Sequence, residues 1–403
     1  MTERRARVPA EAIWIAAAAI PLRALLAVAT DLSPDEAYYL CAGRAAESLP
    51  PIVDHPPLVP WMLRLSDALG FLPVELRVRI WPIGLSFLLG LGCIELARRR
   101  GADREGCLLA AWLGSWALLP MTAGFVATPD GPASVATLAA LLWAGEAEPV
   151  EPRLRAWPVV RTLATGLVLA AGALAKVVVV PIALVVAILA RGRSTAYRAA
   201  LLVPLAASFP LLVPSLRFQL HHAFADRPDA WRPAGAIAAL AEAVLVQAIL
   251  WSPWVLARGF RTFRRPCSLP APDVGLLASM SAMVGLSALA RGVPPEGNWW
   301  APAALVVVTG AAISREPLGR AARAGLLATV VLPTLIASLH ALRPFLPLPP
   351  HADPTARLHG WSEGAEPLTA AGVGIYGPAA ERCVYRGSCD EITKRFDEMS
   401  KNK

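Results

Sequence analysis

A chain of 403 residues in which 56% are hydrophobic and only 17% are charged carries more apolar surface than a water-soluble domain of this size can bury. Long apolar runs recur from residue 13 to about 341, and the absence of short alternating strands excludes a β-barrel. The net charge of +8 comes from Arg clusters between those runs, which signals membrane topology and argues against nucleic acid as a partner.

A helical span needs about 20 mostly apolar residues. The runs at about 13–30, 80–97, 107–126, 132–145, 162–175, 177–190, 199–215, 236–256, 274–290, 300–313 and 324–341 predict an all-α integral membrane bundle of about eleven spans. Short cytoplasmic loops retain Lys and Arg. Six clusters stand out, at Arg4/Arg5/Arg7, Arg98/Arg99/Arg100/Arg104, Arg153/Arg155/Arg161, Arg191/Arg193/Arg198, Arg258/Arg261/Arg264/Arg265 and Arg315/Arg320/Arg323. They share one side only if the stretch 162–190 crosses twice, so a turn is expected at Lys176. Met1 to Ala29 has the outline of a signal peptide, but Arg23 interrupts its apolar run and cleavage would discard the helix leading into an acidic pair, so it is taken as the first span.

The organisation expected is a membrane domain over 1–341, with a long first exported loop (Asp31 to Arg79), and a short exported tail over 342–403 that opens with several prolines. Among the cysteines, only Cys383 and Cys389 in that tail are placed to pair in an oxidising compartment.

In Ser33-Pro34-Asp35-Glu36-Ala37-Tyr38-Tyr39, Ser33 at the N-cap, Pro34 at N1 and Glu36 at N3 form a capping box. Glu36 would then stabilise a helix start, and its loss would cost on the order of 1 kcal/mol. Asp35 is surplus to the cap, and a carboxylate at the mouth of a membrane helix calls for a chemical role. Thr128-Pro129-Asp130 reads as the same device, so capping and chemistry both stay open for these carboxylates. In Asp54-His55-Pro56-Pro57 the prolines hold His55 extended ahead of an amphipathic run, Leu58 to Leu69, although Asp-His pairs are also common surface hydrogen bonds. Lys176 is either a snorkelling lysine or a placed cation. His221 and His222 are neighbours on a helix and point different ways, which makes a shared metal awkward. With Arg217, Glu296 and Asn298, all these residues fall on the exported side. A one-sided set favours chemistry at the membrane surface over transport through its middle.

Seven of these segments, in order, carry a resemblance. They are Asp35-Glu36-Ala37-Tyr38-Tyr39, Asp54-His55-Pro56-Pro57-Leu58 with Trp61 and Arg64-Leu65, Thr128-Pro129-Asp130-Gly131-Pro132, Ala175-Lys176, Arg217-Phe218-Gln219-Leu220-His221, Gly297-Asn298-Trp299-Trp300-Ala301-Pro302-Ala303 and Arg357-Leu358-His359-Gly360-Trp361. Over about residues 15 to 365 the chain resembles the bacterial family 39 glycosyltransferases, relatives of the protein O-mannosyltransferases and the lipid A aminoarabinose transferases.

That resemblance implies a GT-C fold in a bacterial inner membrane, with amphipathic helices of the first loop over a cavity facing the periplasm. It implies a polyprenyl-phosphate sugar as donor and a lipid, glycan or protein as acceptor, with inversion at the anomeric carbon. Asp35 matches the family's catalytic aspartate and would be the general base, with Glu36 and Asp130 beside it. His55, Lys176 and Arg217 would hold the donor phosphate, with His221 and Asn298 as further substrate contacts and Asp54, Tyr38, Tyr39 and Trp299 around them. No cofactor is required, although a neutral His55 is compatible with a divalent metal. Aminoarabinose-transferring relatives tend to carry Lys where His55 stands, and Cys383 to Lys403 resembles nothing in the family. A lipid flippase without chemistry would share the basic loops and the phosphate grip, but would have no use for Asp35.

Overall fold

The computed structural model describes residues 7–45, 55–145, 156–190, 193–225, 233–263, 269–314, 316–349, 353–363 and 377–401. Among them every regular element is helical. The first apolar run folds as α1 (Ala10–Ala17) and α2 (Ala19–Ala29). The long loop expected from sequence to be exported then forms α3 (Pro34–Ala45) and α4 (Leu58–Ser66), the second starting directly after Pro57. These two helices approach so closely that a Cβ on Gly43 would lie 2.4 Å from the Pro60 carbonyl oxygen, so only glycine fits. Arg44 grips Asp67 with two hydrogen bonds, of 2.9 and 2.8 Å, and ties α3 to the turn after α4.

The bundle continues as α5 (Val74–Arg99), α6 (Arg104–Trp116), α7 (Leu118–Thr122), α8 (Asp130–Ala144), α9 (Ala156–Ala175), α10 (Val179–Leu189) and α11 (Thr195–Ala225). After it come α12 (Pro233–Trp251), α13 (Pro253–Phe263), α14 (Ala271–Arg291) and α15 (Ala301–Ala312). A π-helical turn, Leu327–Val331, joins α16 (Arg320–Leu326) to α17 (Leu332–Leu342). Every residue of α15 is buried, and its Val306, Val307 and Val308 belong to the main apolar core with Leu109, Leu113, Leu141 and Leu276.

At 1.5 Å per residue, α5 holds Arg79 and Arg100 about 30 Å apart, at opposite ends of the bundle. Described members of several basic clusters find partners toward the Arg100 end. There Arg100 meets Asp273 through two bonds of 2.8 Å, and Arg193 donates to the Trp143 carbonyl at 2.6 Å while lying 4.9 Å from that ring. Arg258 donates to Ala311 O at 2.9 Å, and Arg323 reaches Glu105 at 3.3 Å. The chain turns at Lys176, as expected, between α9 and α10.

Seven described helices are long and apolar enough to cross a membrane: Ala10–Ala29, Val74–Arg99, Pro158–Ala175, Thr195–Gln219, Ala234–Trp251, Ala271–Arg291 and Arg320–Leu342. Length alone therefore supports seven of the eleven spans expected from sequence. The runs at 132–145, 177–190 and 300–313 form α8, α10 and α15, of 15, 11 and 12 residues. The run at 107–126 is broken at Ala117, where α6 gives way to α7.

That break explains Arg23. A helix end leaves carbonyl groups without intrahelical partners, and the Arg23 guanidinium, fully buried, donates to Ser115 O at 2.6 Å and Pro120 O at 3.1 Å.

The tail folds back on the exported loop. Asp31 receives the N–H groups of Trp361 at 2.8 Å and Ser362 at 3.2 Å, and its own N–H donates to Leu358 O at 2.9 Å. Beyond it, α18 (Gly377–Arg386) and α19 (Asp390–Lys401) form a hairpin closed by a disulfide between Cys383 and Cys389, the pair expected from sequence.

Candidate active site

The end of the bundle opposite the Arg clusters contains two acidic helix starts. At α3 the capping box forms as the sequence predicts: the Ser33 N–H donates to Glu36 Oε2 at 2.8 Å and the Glu36 N–H to Ser33 Oγ at 3.3 Å. The Glu36 carboxylate does more than cap. It accepts Arg79 Nε at 3.0 Å, Arg79 Nη2 at 2.8 Å and the Ala127 N–H at 2.8 Å, and both charged side chains are wholly buried. Arg79 also donates to the carbonyls of Ala27, Thr30 and Asp31, so its guanidinium fastens the end of α2 to α3. All four of these hydrogen bonds to the Glu36 carboxylate come from the protein, so it ties α3 to Arg79 and to Ala127.

Asp35, its neighbour in sequence, lies outside that network. Its side chain reaches solvent, while neighbouring protein still crowds the carboxyl. Burial pushes its carboxyl above the usual carboxylate range; the Arg357 charge opposes this, Glu296 adds to it, His55 opposes it and Glu36 adds to it. Those residues come from the segment after α17, the segment before α15, the start of α4 and α3 itself.

The second start differs. No side chain caps α8, so Thr128 does not repeat the role of Ser33. Asp130 turns inward: its Oδ1 accepts Lys176 Nζ at 2.6 Å and its Oδ2 accepts Asn298 Nδ2 at 2.8 Å. Three residues singled out from sequence, 168 positions apart at the extremes, are thereby brought together. The Glu36–Ala127 hydrogen bond links this cluster to α3. Beside it opens an apolar groove lined by Val59 and Leu63 of α4, Trp81 and Leu85 of α5, and Gly131 and Pro132 of α8.

The remaining expected residues divide. The His55 ring packs edge-on against Tyr39, with centroids 6.1 Å apart, and Tyr38 packs against Phe396 at 5.8 Å. Both tyrosines are buried in the apolar cluster of α3. Trp299 is half-buried on the main core. Arg217 is exposed on α11 and, among the described residues, does not join the Asp130 cluster. Asp54 and the side chain of His221 lie outside the described residues. Among the described residues no three His, Cys, Asp or Glu side chains converge to hold a metal, and an ammonium already occupies the cation position at Asp130. Arg79 and Arg357 were missed as partners. The usable signal was a lone Arg beside the acidic loop in one case and a quoted motif with no role in the other.

Residues 54–218 match the dolichyl-phosphate-mannose-protein mannosyltransferase family. The bundle superposes on ArnT from Cupriavidus metallidurans in the apo state with a TM-score of 0.59 at 16% identity, covering 91% of this chain and 67% of that one. The chain shares the fold of ArnT. ArnT from the same organism bound to undecaprenyl phosphate gives the same TM-score, 0.59, at 17% identity, covering 82% of this chain and 64% of that chain. This chain therefore spans about two thirds of the length of the ArnT structures. No curated protein matches it. The bundle is a multi-pass membrane protein with its acidic motifs gathered at one end.

Proposed function

We propose that the chain is a membrane glycosyltransferase that moves a sugar from a polyprenyl-phosphate donor to an acceptor hydroxyl on the exported side, with inversion and with Asp35 as general base. The observation that carries the reading is the division between two adjacent carboxylates: Glu36 is buried in a closed salt bridge, while Asp35 stands outside it, open to solvent and with its basicity raised. A base works best when its pKa approaches the operating pH, and a raised carboxyl moves that way.

In this mechanism the acceptor O–H gives its proton to Asp35 as the oxygen bonds to the anomeric carbon. The bond from that carbon to the phosphate oxygen breaks, and its electron pair leaves with the lipid phosphate. Lys176 stabilises that anion. It is fixed by Asp130, which Asn298 holds from the other side. Arg217, exposed on α11, and His55 are the further basic groups available to the phosphate. The groove between α4, α5 and α8 offers apolar walls to the polyprenyl chain next to Lys176's partner. The basic clusters at the other end support a site on the non-cytoplasmic face, by the distribution of positive charge.

Transfer of labelled sugar from a polyprenyl-phosphate donor in proteoliposomes tests the reading. Wild type is expected to form labelled acceptor and Asp35→Asn to form none with the fold intact. Lipid translocation without covalent transfer by the wild type would overturn it.

A further inference from the structure

The C-terminal hairpin has no part in the chemistry above, yet it is built onto the helix that carries Asp35. Ala379 and Ala380 of α18 and Ile392 and Phe396 of α19 are buried in one apolar cluster with Leu32, Ala37, Tyr38, Tyr39 and Leu40. The thiol of Cys41 donates to Ala380 O at 3.7 Å. At the centre of the contact, the Tyr385 hydroxyl accepts the Leu32 N–H at 2.8 Å and donates to Glu75 Oε1 at 2.9 Å. A hydroxyl that both accepts and donates is fixed in rotation. It therefore joins the backbone three residues ahead of Asp35 to the first turn of α5. Among the described residues no donor holds the Asp35 carboxylate itself, so the placement of α3 sets where that carboxylate stands.

We infer that Tyr385 is a positioning residue for transfer and that the disulfide-closed hairpin is the clamp that delivers it to α3. This rests on the role proposed for Asp35. The clamp explains why a polar tyrosine tip lies inside an apolar contact: without its hydroxyl the Leu32 N–H would be buried with no acceptor. It also gives the disulfide a task, since Cys383 and Cys389 bridge the end of α18 to the start of α19 and keep Ile392 and Phe396 over α3.

The test uses the full chain in proteoliposomes with two independent readouts. Tyr385→Phe keeps the ring and removes both hydrogen bonds. It is expected to raise hydrogen exchange across 31–45 while leaving α14 and α15 unchanged, and to lower kcat on the order of 10- to 100-fold with the donor KM within about twofold. Glu75→Leu should reproduce the loss, the double variant should be no worse than either single one, and Glu75→Gln, which retains an acceptor, should lose far less. Unchanged exchange in 31–45 overturns the clamp whatever the activity. Exchange that rises equally in every helix overturns it in favour of general destabilisation. A wild type that transfers no sugar refutes the proposed function, and the exchange measurement still decides the clamp.

Discussion

The starts of α3 and α8 look alike in sequence and are built in opposite ways. At α3 the box closes, Glu36 goes to Arg79 and Ala127, and Asp35 is left facing outward. At α8 no side chain caps the helix, and the acid itself turns inward to Lys176 and Asn298. The difference teaches that a capping signature states which hydrogen bonds are available and not which are made. A long-range cation decides the outcome: Arg79 claims the N3 glutamate of one motif, and Lys176 claims the aspartate of the other.

The largest effects should separate the two residues of the first start. Removing a general base costs about 10²–10⁴-fold in rate, so Asp35→Asn should abolish measurable transfer while the melting temperature holds. Glu36→Gln should instead unfold the site end. Leaving a buried guanidinium without its partner costs about 3–5 kcal/mol, well above the cap value expected from sequence, and thermal melts in detergent will register it. Equal activity loss at equal stability in the two variants would erase the distinction.

The next effect concerns how Asp35 is tuned. Arg357 holds its carboxyl down and Glu296 pushes it up, against a background of burial that raises it. The acidic limb of the rate profile should move to higher pH in Arg357→Gln and to lower pH in Glu296→Gln. Movement in the same direction would mean that the two charges do not face this carboxylate.

A further contrast is that α3, unlike α8, lies under the hairpin. Glu381 of α18 is buried with neither carboxylate oxygen hydrogen-bonded among the described residues. Burial first, then the nearby Glu36 and Asp31, push its carboxyl from 4.5 up to about 10, against the opposing charge of Arg79. The folded state keeps this proton and the unfolded state gives it up near 4.5, so its contribution is whole below pH 4.5 and declines as pH rises toward about 10. Glu381→Gln should therefore melt higher than wild type at pH 8, with the gap closing toward pH 5. The smallest effect belongs to Thr128→Ala: with no cap to lose, the change should stay within about 0.5 kcal/mol, and a cost near 1 kcal/mol would show that Thr128 caps α8 after all.

Much of this was legible locally. The Ser33 box and the start of α4 after Pro57 follow from residue types within a few positions of each other, whereas the turn at Lys176 follows from counting basic clusters along the whole chain. Grouping Asp130, Lys176 and Asn298 needed only the side of the membrane, which charge counting provides. The partners of Glu36 and Asp31 were not legible, because a pairing across 43 or 330 residues leaves no periodic trace in sequence. Whether the runs that form α8, α10 and α15 cross a membrane was not legible for a related reason: apolar residues that face protein and apolar residues that face lipid look the same in a hydropathy profile.

The hydrogen bond between Asp31 and the Trp361 backbone also has a meaning in time. Its two ends are made 330 residues apart, and at roughly 5–20 residues per second a ribosome needs about 15–65 s to bridge them. Through that interval the loop carrying Asp35 has already been made, while the segment bearing Arg357 has not. A nascent chain is thus exposed to its lipid surroundings well before it has a finished site with which to act on them.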